Sequence, residues 1–300
     1  MSEEFLEPDA TDDAGAHAMP GSLYVVATPL GHARDVTLRA LDILRTSDVI
    51  AAEDTRRTVP LLRRYGIATK PISLHAHNEA QRAASIVAAL SAGKSVAVVT
   101  DAGTPAISDP GARAVRSVRD AGYPIVPIPG PSAVAAAVSA AGLQSERFLF
   151  LGFLPSTGKA RRELLQGVAA LPFALVIYEA PHRVRTAVAD LAALLGVRSL
   201  VIARELTKKF ETIARMPLDD ATAWFDGDAN RARGEFVLIV DAPNPDVGEP
   251  ALAADVDRWL VELVRELPPA RAARVVANVT GVERDRLYAR AMALKRNRER

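Results

Sequence analysis

The chain of 300 residues contains no cysteine. That removes disulfides and thiolate metal ligands, and it predicts a reducing, cytoplasmic setting. The opening stretch, Met1 to Met19, carries acids at Glu3, Glu4, Glu7, Asp9, Asp12 and Asp13 but no Lys or Arg, so it lacks the basic start of a secretory signal. Long hydrophobic runs are missing as well. The most apolar later stretch, Ser132 to Leu143, is rich in alanine and falls well short of the roughly 20 residues that a membrane span needs. No repeat of fixed period is present.

Two familiar chemistries are absent in the same way. "AGKS", Ala92 to Ser95, ends like a phosphate-binding loop, but Ala88 stands where that motif needs its first glycine, and the strand follows it instead of preceding it. His75 and His77 alternate without the spacing of a metal-binding helix, so no metal is expected.

What is present suffices for a globular protein. Hydrophobic residues make up 49% of the chain, enough for a packed core, and its length predicts two domains. A net charge of +1 conceals opposite ends. Against the acidic start stands a C-terminal stretch with Arg271, Arg274, Arg284, Arg286, Arg290, Lys295, Arg296, Arg298 and Arg300, which is either a solvated face or a contact for a polyanion.

Apolar runs repeatedly end in punctuated loops. "VVTDAGTPAISDPG", Val98 to Gly111, leaves a short β-branched strand for a segment that Gly103 frees and Pro105 and Pro110 stiffen. "LYVVATPLG", "IAAEDTRRT" and "PIPGPSA" repeat the pattern. Helices fit between them at Thr37–Thr46, Thr58–Tyr65, Glu79–Ser91 and Gly111–Ala121, and βαβ units in a parallel sheet follow. The division expected is an acidic tail over 1–20, an α/β domain over 21–141, a second α/β domain over 142–241, a proline-rich linker over 242–250 and a basic helical extension over 251–300. In the second domain "FALVIYEAPHR", "SLVIAREL" and "GEFVLIVD" read as strands, and the last two bracket a hairpin-like segment.

With "HAHNE", "FLGFLP", "YEAPHR", "ARELTKKFE" and "GEFVL", these pieces form an ordered series over about Leu23 to Val240. The series resembles the tetrapyrrole methylase superfamily, and within it the branch that methylates a cytidine 2′-hydroxyl in small-subunit (16S) ribosomal RNA. The helical end resembles that branch's C-terminal extension. One departure is His32, where the family usually has Asn after the "TPLG" turn.

The resemblance implies two α/β domains with a cleft between them that holds S-adenosylmethionine. Carried over residue by residue, it places Pro29, Gly103, Thr104, Ile107, Ser132, Ala133, Tyr178 and Leu206 at the cofactor. It also implies a homodimer, with 16S RNA or the small subunit as partner. A ribose hydroxyl is a weak nucleophile, so a general base or a hydrogen-bond network helps. Asp54, His77, Glu79 and Glu205 are candidates by type. Asp54 and Glu205 can equally pair with Arg56 and Arg204, and His77 can brace the loop before Asn78. Arg56, Arg183, Lys208 and Lys209 lie within the resembling loops and are expected to meet phosphates. A methyltransferase for a tetrapyrrole or other small molecule, and a non-enzymatic RNA-binding module, are the competing readings.

Overall fold

A computed structural model describes residues 17–76, 78–243 and 252–298. Most of the expected acidic tail and linker, and His77, lie outside the described residues.

The first half is a parallel sheet with helices on both faces. Its strands are β1 (Leu23–Val26), β2 (Val49–Ala52), β3 (Ile72–Ser73), β4 (Val96–Val99) and β5 (Ile125–Ile128), in the order β3-β2-β4-β1-β5. Every residue of β4 is buried, as a strand covered on both faces requires. The connecting helices are α1 (Leu38–Thr46), α2 (Thr55–Arg64), α3 (Glu79–Ser91) and α4 (Ala112–Asp120). Thr37 and Asp54 start α1 and α2, each side chain accepting a backbone N–H of the first turn. Apolar clusters lie on both sides, around Ile43 and Ile50 on one and Leu74 and Ile86 on the other.

The second sheet is mixed. It contains β6 (Phe148–Phe153), β7 (Ala174–Glu179), β8 (Ser199–Arg204), β9 (Thr212–Pro217) and β10 (Phe236–Val240), ordered β6-β7-β10-β8-β9. Only β6 and β7 pair in parallel. The expected hairpin exists, but β9 is its second arm, while β10 inserts between β7 and β8. Composition explains this arrangement. "FVLIV" of β10 is buried throughout and takes the sheet's centre, whereas β9 alternates half-buried with exposed residues and takes an edge. Helices α6 (Gly158–Val168), α7 (Val184–Leu195) and α8 (Ala221–Asp226) help form a core around Leu165, Leu191 and Phe225 on one face.

The other face is covered by α5 (Ala133–Ala141), the alanine-rich helix that ends the first half. Ser132 caps it, and Gly142 ends it at φ 59°. Ala137 and Ala141 are buried with Val176, Val201 and Ile239 of the second sheet. Their small side chains bring the helix close to the strands, which joins the two halves.

Three more helices, α9 (Ala254–Glu266), α10 (Pro269–Thr280) and α11 (Arg284–Arg298), enclose a separate core around Leu260, Val276 and Leu287. Gly281, at φ 71°, closes α10. Among the described residues no helix is long and apolar enough to cross a membrane.

Candidate active site

A cavity of about 380 Å³ opens where the carboxyl ends of the first sheet meet the second sheet. That end of an open α/β sheet is where ligands bind, because the diverging loops leave a crevice. Leu30 follows β1, Glu53 closes β2, and Asp101 to Thr104, Ile107 and Asp109 follow β4. Ser132 and Ala133 begin α5, and the second half supplies Phe153, Tyr178 to Pro181, Leu206, Lys208 and Glu235 to Val237. Tyr178 is held edge-on between Phe150 and Phe153, at ring separations of 4.9 and 5.6 Å.

Backbone geometry fixes both walls. Gly103 takes φ 84° and exchanges two hydrogen bonds with Thr28, each 2.9 Å. The Thr104 hydroxyl donates to Pro131 O at 3.0 Å and ties this loop to the start of α5. Among the described residues the non-glycine positions at positive φ are Ala106, Ser108, Glu205 and Thr207. They come as two pairs, one flanking Ile107 and the other flanking Leu206, and both central residues face the cavity. Each such residue costs about 1–3 kcal/mol, so the surrounding packing must hold it.

The walls are rich in carboxylates. Burial, and after it the neighbouring charges of Glu53, Asp101 and Glu235, push Asp109 up to about 7. Burial also raises Glu53 and Asp101 from their ordinary values, and it pushes the Tyr178 hydroxyl up to about 12. Two cations enter the lining. Arg57 Nε lies 3.3 Å from Asp101, and Lys208 Nζ lies 3.0 Å from Glu205 and 2.6 Å from Glu235. Among the described residues no group of three His, Asp or Glu side chains is arranged to hold a metal.

Seven of the eight residues expected at the cofactor, Gly103, Thr104, Ile107, Ser132, Ala133, Tyr178 and Leu206, line this one cavity. At the end of β1 the lining residue is Leu30 in place of Pro29. Asp54 lies outside the lining. It caps α2, pairs with Arg56 at 2.7 Å and is held down to about 2 by that partner. Glu79 is also outside, because its carboxylate accepts the N–H groups of Gly111 and Arg113 at the start of α4. Glu205 stands just behind the lining and accepts from Glu235 N–H and Lys208. Burial alone would raise its pKa, but these donors outweigh it and the net shift is downward.

The expected RNA contacts separate in the same way. The Arg56 side chain is 88% exposed, and Lys209 is exposed beside the Phe210 ring. Arg183 instead pairs with the buried Glu179 and donates to Leu154 O. Glu53, Asp101 and Asp109 join the lining without having been expected there. Their signal was position, since Asp101 and Asp109 bracket the Gly/Pro loop and Glu53 ends the "IAA" run.

Residues 22–222 match the sequence pattern of the tetrapyrrole (corrin/porphyrin) methylases. The chain belongs to that family. Residues 250–295 match the RsmI C-terminal HTH domain, a helix-turn-helix. Ribosomal RNA small subunit methyltransferase I of Escherichia coli O157:H7 is 46% identical over 91% of this chain and 95% of its own length. Its namesakes in Pseudomonas aeruginosa (44%; 91% and 97%) and Vibrio cholerae serotype O1 (47%; 89% and 92%) are similar. Among solved structures, a cobalt precorrin-4 methyltransferase of cobalamin biosynthesis superposes with a TM-score of 0.56 at 18% identity, over 74% of this chain and 95% of its own. The methyltransferase CobJ does so with 0.57 at 21%, over 74% and 95%. At these identities the likeness concerns the fold. In this tetrapyrrole methylase the unusual His32 uses its backbone, which donates to Thr207 Oγ1 at 3.0 Å. That tie does not depend on the side chain.

Proposed function

We propose that the protein transfers a methyl group from S-adenosylmethionine to the 2′-hydroxyl of a cytidine in small-subunit (16S) ribosomal RNA. The observation that carries this reading is the 41–47% identity with ribosomal RNA small subunit methyltransferases I over about nine-tenths of the chain. Competing readings, a tetrapyrrole substrate or a non-catalytic RNA module, are not favoured by these relatives.

The cavity fits such a cofactor. It has the size of a small-ligand site, with Leu30, Ile107, Leu206 and Val237 as apolar surface and the carboxyl groups of Glu53, Asp101 and Asp109 on its walls. A sulfonium and an ammonium group are cations, so ionised carboxylates complement them. The bound cofactor supplies an electrophilic methyl group. The chain aligns the reactants and excludes water. Gly103, Thr104, Ser132 and Ala133 bring backbone and hydroxyl groups close, while Ile107, Leu206 and Tyr178 enclose the apolar parts. Arg56 and Lys209 face the polymer.

Two copies are expected to assemble. Exposed Phe148 and Phe153 on the edge strand β6 and Ile213 on the edge strand β9 support that reading, and sedimentation at twice the 32.0 kDa chain mass tests it. The expected place of action is the cytoplasm, where ribosomal RNA matures. The decisive experiment maps ribose methylation in 16S RNA from a strain lacking the gene and restores it with the purified protein. A fully methylated RNA in that strain overturns the reading.

A further inference from the structure

We infer that Glu53 is the catalytic residue that accepts the proton of the attacking ribose hydroxyl. The inference rests on the methyltransferase reading above and extends it to a residue that sequence reasoning left without a role.

Chain direction separates two adjacent carboxylates at the end of β2. Asp54 turns outward, where Arg56 and the first turn of α2 occupy it. Glu53 faces the cavity. One of its oxygens, Oε2, accepts the Asp101 N–H at 3.2 Å, which fixes the carboxylate while a carboxylate keeps further acceptor capacity for a hydroxyl donor. Asp101 is less suited. It accepts the Asp54 N–H at 3.0 Å and pairs with Arg57 at 3.3 Å. Asp109 belongs to the same loop as Gly103, Thr104 and Ile107, which places it with the cofactor-facing wall.

Position assigns the rest. Glu53 lies between that wall and the start of α2, where the Arg56 and Arg57 side chains are 88% and 65% exposed. A polyanion whose phosphates meet these arginines brings a ribose to the side of the cavity that Glu53 lines. The charged groups that act on Glu53 are Asp101, Arg57 and Asp54, and its own charge acts on Asp109, which lines the same cavity. Burial leads these influences, and the net effect raises Glu53 toward the range in which a carboxylate is a better base. In the step, the ribose oxygen bonds to the methyl carbon as the carbon–sulfur bond breaks. The pair stays on sulfur, the hydroxyl proton moves to Glu53, and it leaves to water.

The test compares full-length wild type with Glu53→Gln and Asp109→Asn. Glutamine keeps the shape and an acceptor for Asp101 N–H. Three quantities are read: cofactor affinity by calorimetry, small-subunit RNA affinity, and the single-turnover rate of ribose methylation against pH. For E53Q both affinities should stay within about threefold, the rate should fall by about 10²-fold or more, and the rise of rate with pH should disappear. D109N should lose cofactor affinity. A proportional loss of cofactor affinity in E53Q, or an unchanged rate and pH profile, overturns the assignment while leaving the methyltransferase reading intact. A wild type that methylates no RNA overturns both.

Discussion

The Lys208 side chain lies across Gly31, so that a β-carbon added at Gly31 would collide with Lys208 Cγ and crowd Thr207 Oγ1 at 3.1 Å. One loop comes from the first sheet and the other from the second, and the His32 N–H bond to Thr207 ties them together. The cavity therefore depends on a close backbone approach between two halves that are distant in sequence. Gly31→Val should lower stability by about 1–3 kcal/mol, as overpacking does, and should weaken cofactor binding. Denaturant unfolding and calorimetry measure the two effects. An unchanged affinity would show that the clasp does not shape the site.

Gly103→Val should act through two routes. At φ 84° a branched side chain is strained, costing about 1–2 kcal/mol, and its β-carbon would press Leu30 at 3.3 Å. Stability and cofactor affinity should both fall. Gly103→Ala should show the same signs with smaller loss. Equal melting temperatures for all three proteins would contradict the backbone assignment.

Asp109 gives the protein a pH signature. Its folded-state value of about 7 lies above the ordinary 3.8, so between these limits the folded state holds the proton more firmly than the unfolded state. The stabilisation is complete below about pH 4 and is lost as pH rises through 7. Asp109→Asn should therefore raise the melting temperature at pH 8 and leave it nearly unchanged at pH 4. Parallel curves for wild type and variant across this range would remove Asp109 as the cause.

Arg183 is committed to a buried ion pair. Its partner Glu179 has a fully buried side chain, so Arg183→Ala strands a charge and should cost about 3–5 kcal/mol. Adding Glu179→Gln should recover part of that loss. If the single variant is as stable as wild type, Arg183 is free to serve RNA as the sequence suggested.

RNA binding should read the exposed cations. Neutralising Arg56 and Lys209 should reduce the log–log salt slope by roughly 0.7 to 0.9 for each phosphate that is no longer neutralised. Cofactor affinity should not move. Lys208→Met should disturb the site instead, because Glu205 and Glu235 would lose their shared partner. Slopes unchanged in the double variant would remove this surface from RNA recognition.

Local chemistry alone determined much of this protein. The β-branched runs became strands, the Gly/Pro clusters became loops at their carboxyl ends, and Ser132 and Gly142 bounded a helix where alanine favours one. These are short-range effects, so the sequence contains them directly. Gly103, Thr104, Ile107, Ser132 and Ala133 meet in one cavity because the parallel strands of the first sheet send their following loops to the same edge, and Tyr178 and Leu206 reach that cavity from the second sheet. Tertiary structure decided what depends on partners far along the chain. It inserted β10 between β7 and β8, and it laid α5 on the second sheet. It also chose among carboxylates that look alike in sequence. Asp54 and Glu79 were drawn to helix starts, whereas Glu53, Asp101 and Asp109 were gathered in the cavity. Burial and mutual repulsion act only once the chain has brought such groups together, and for that reason their perturbed acidity belongs to the fold.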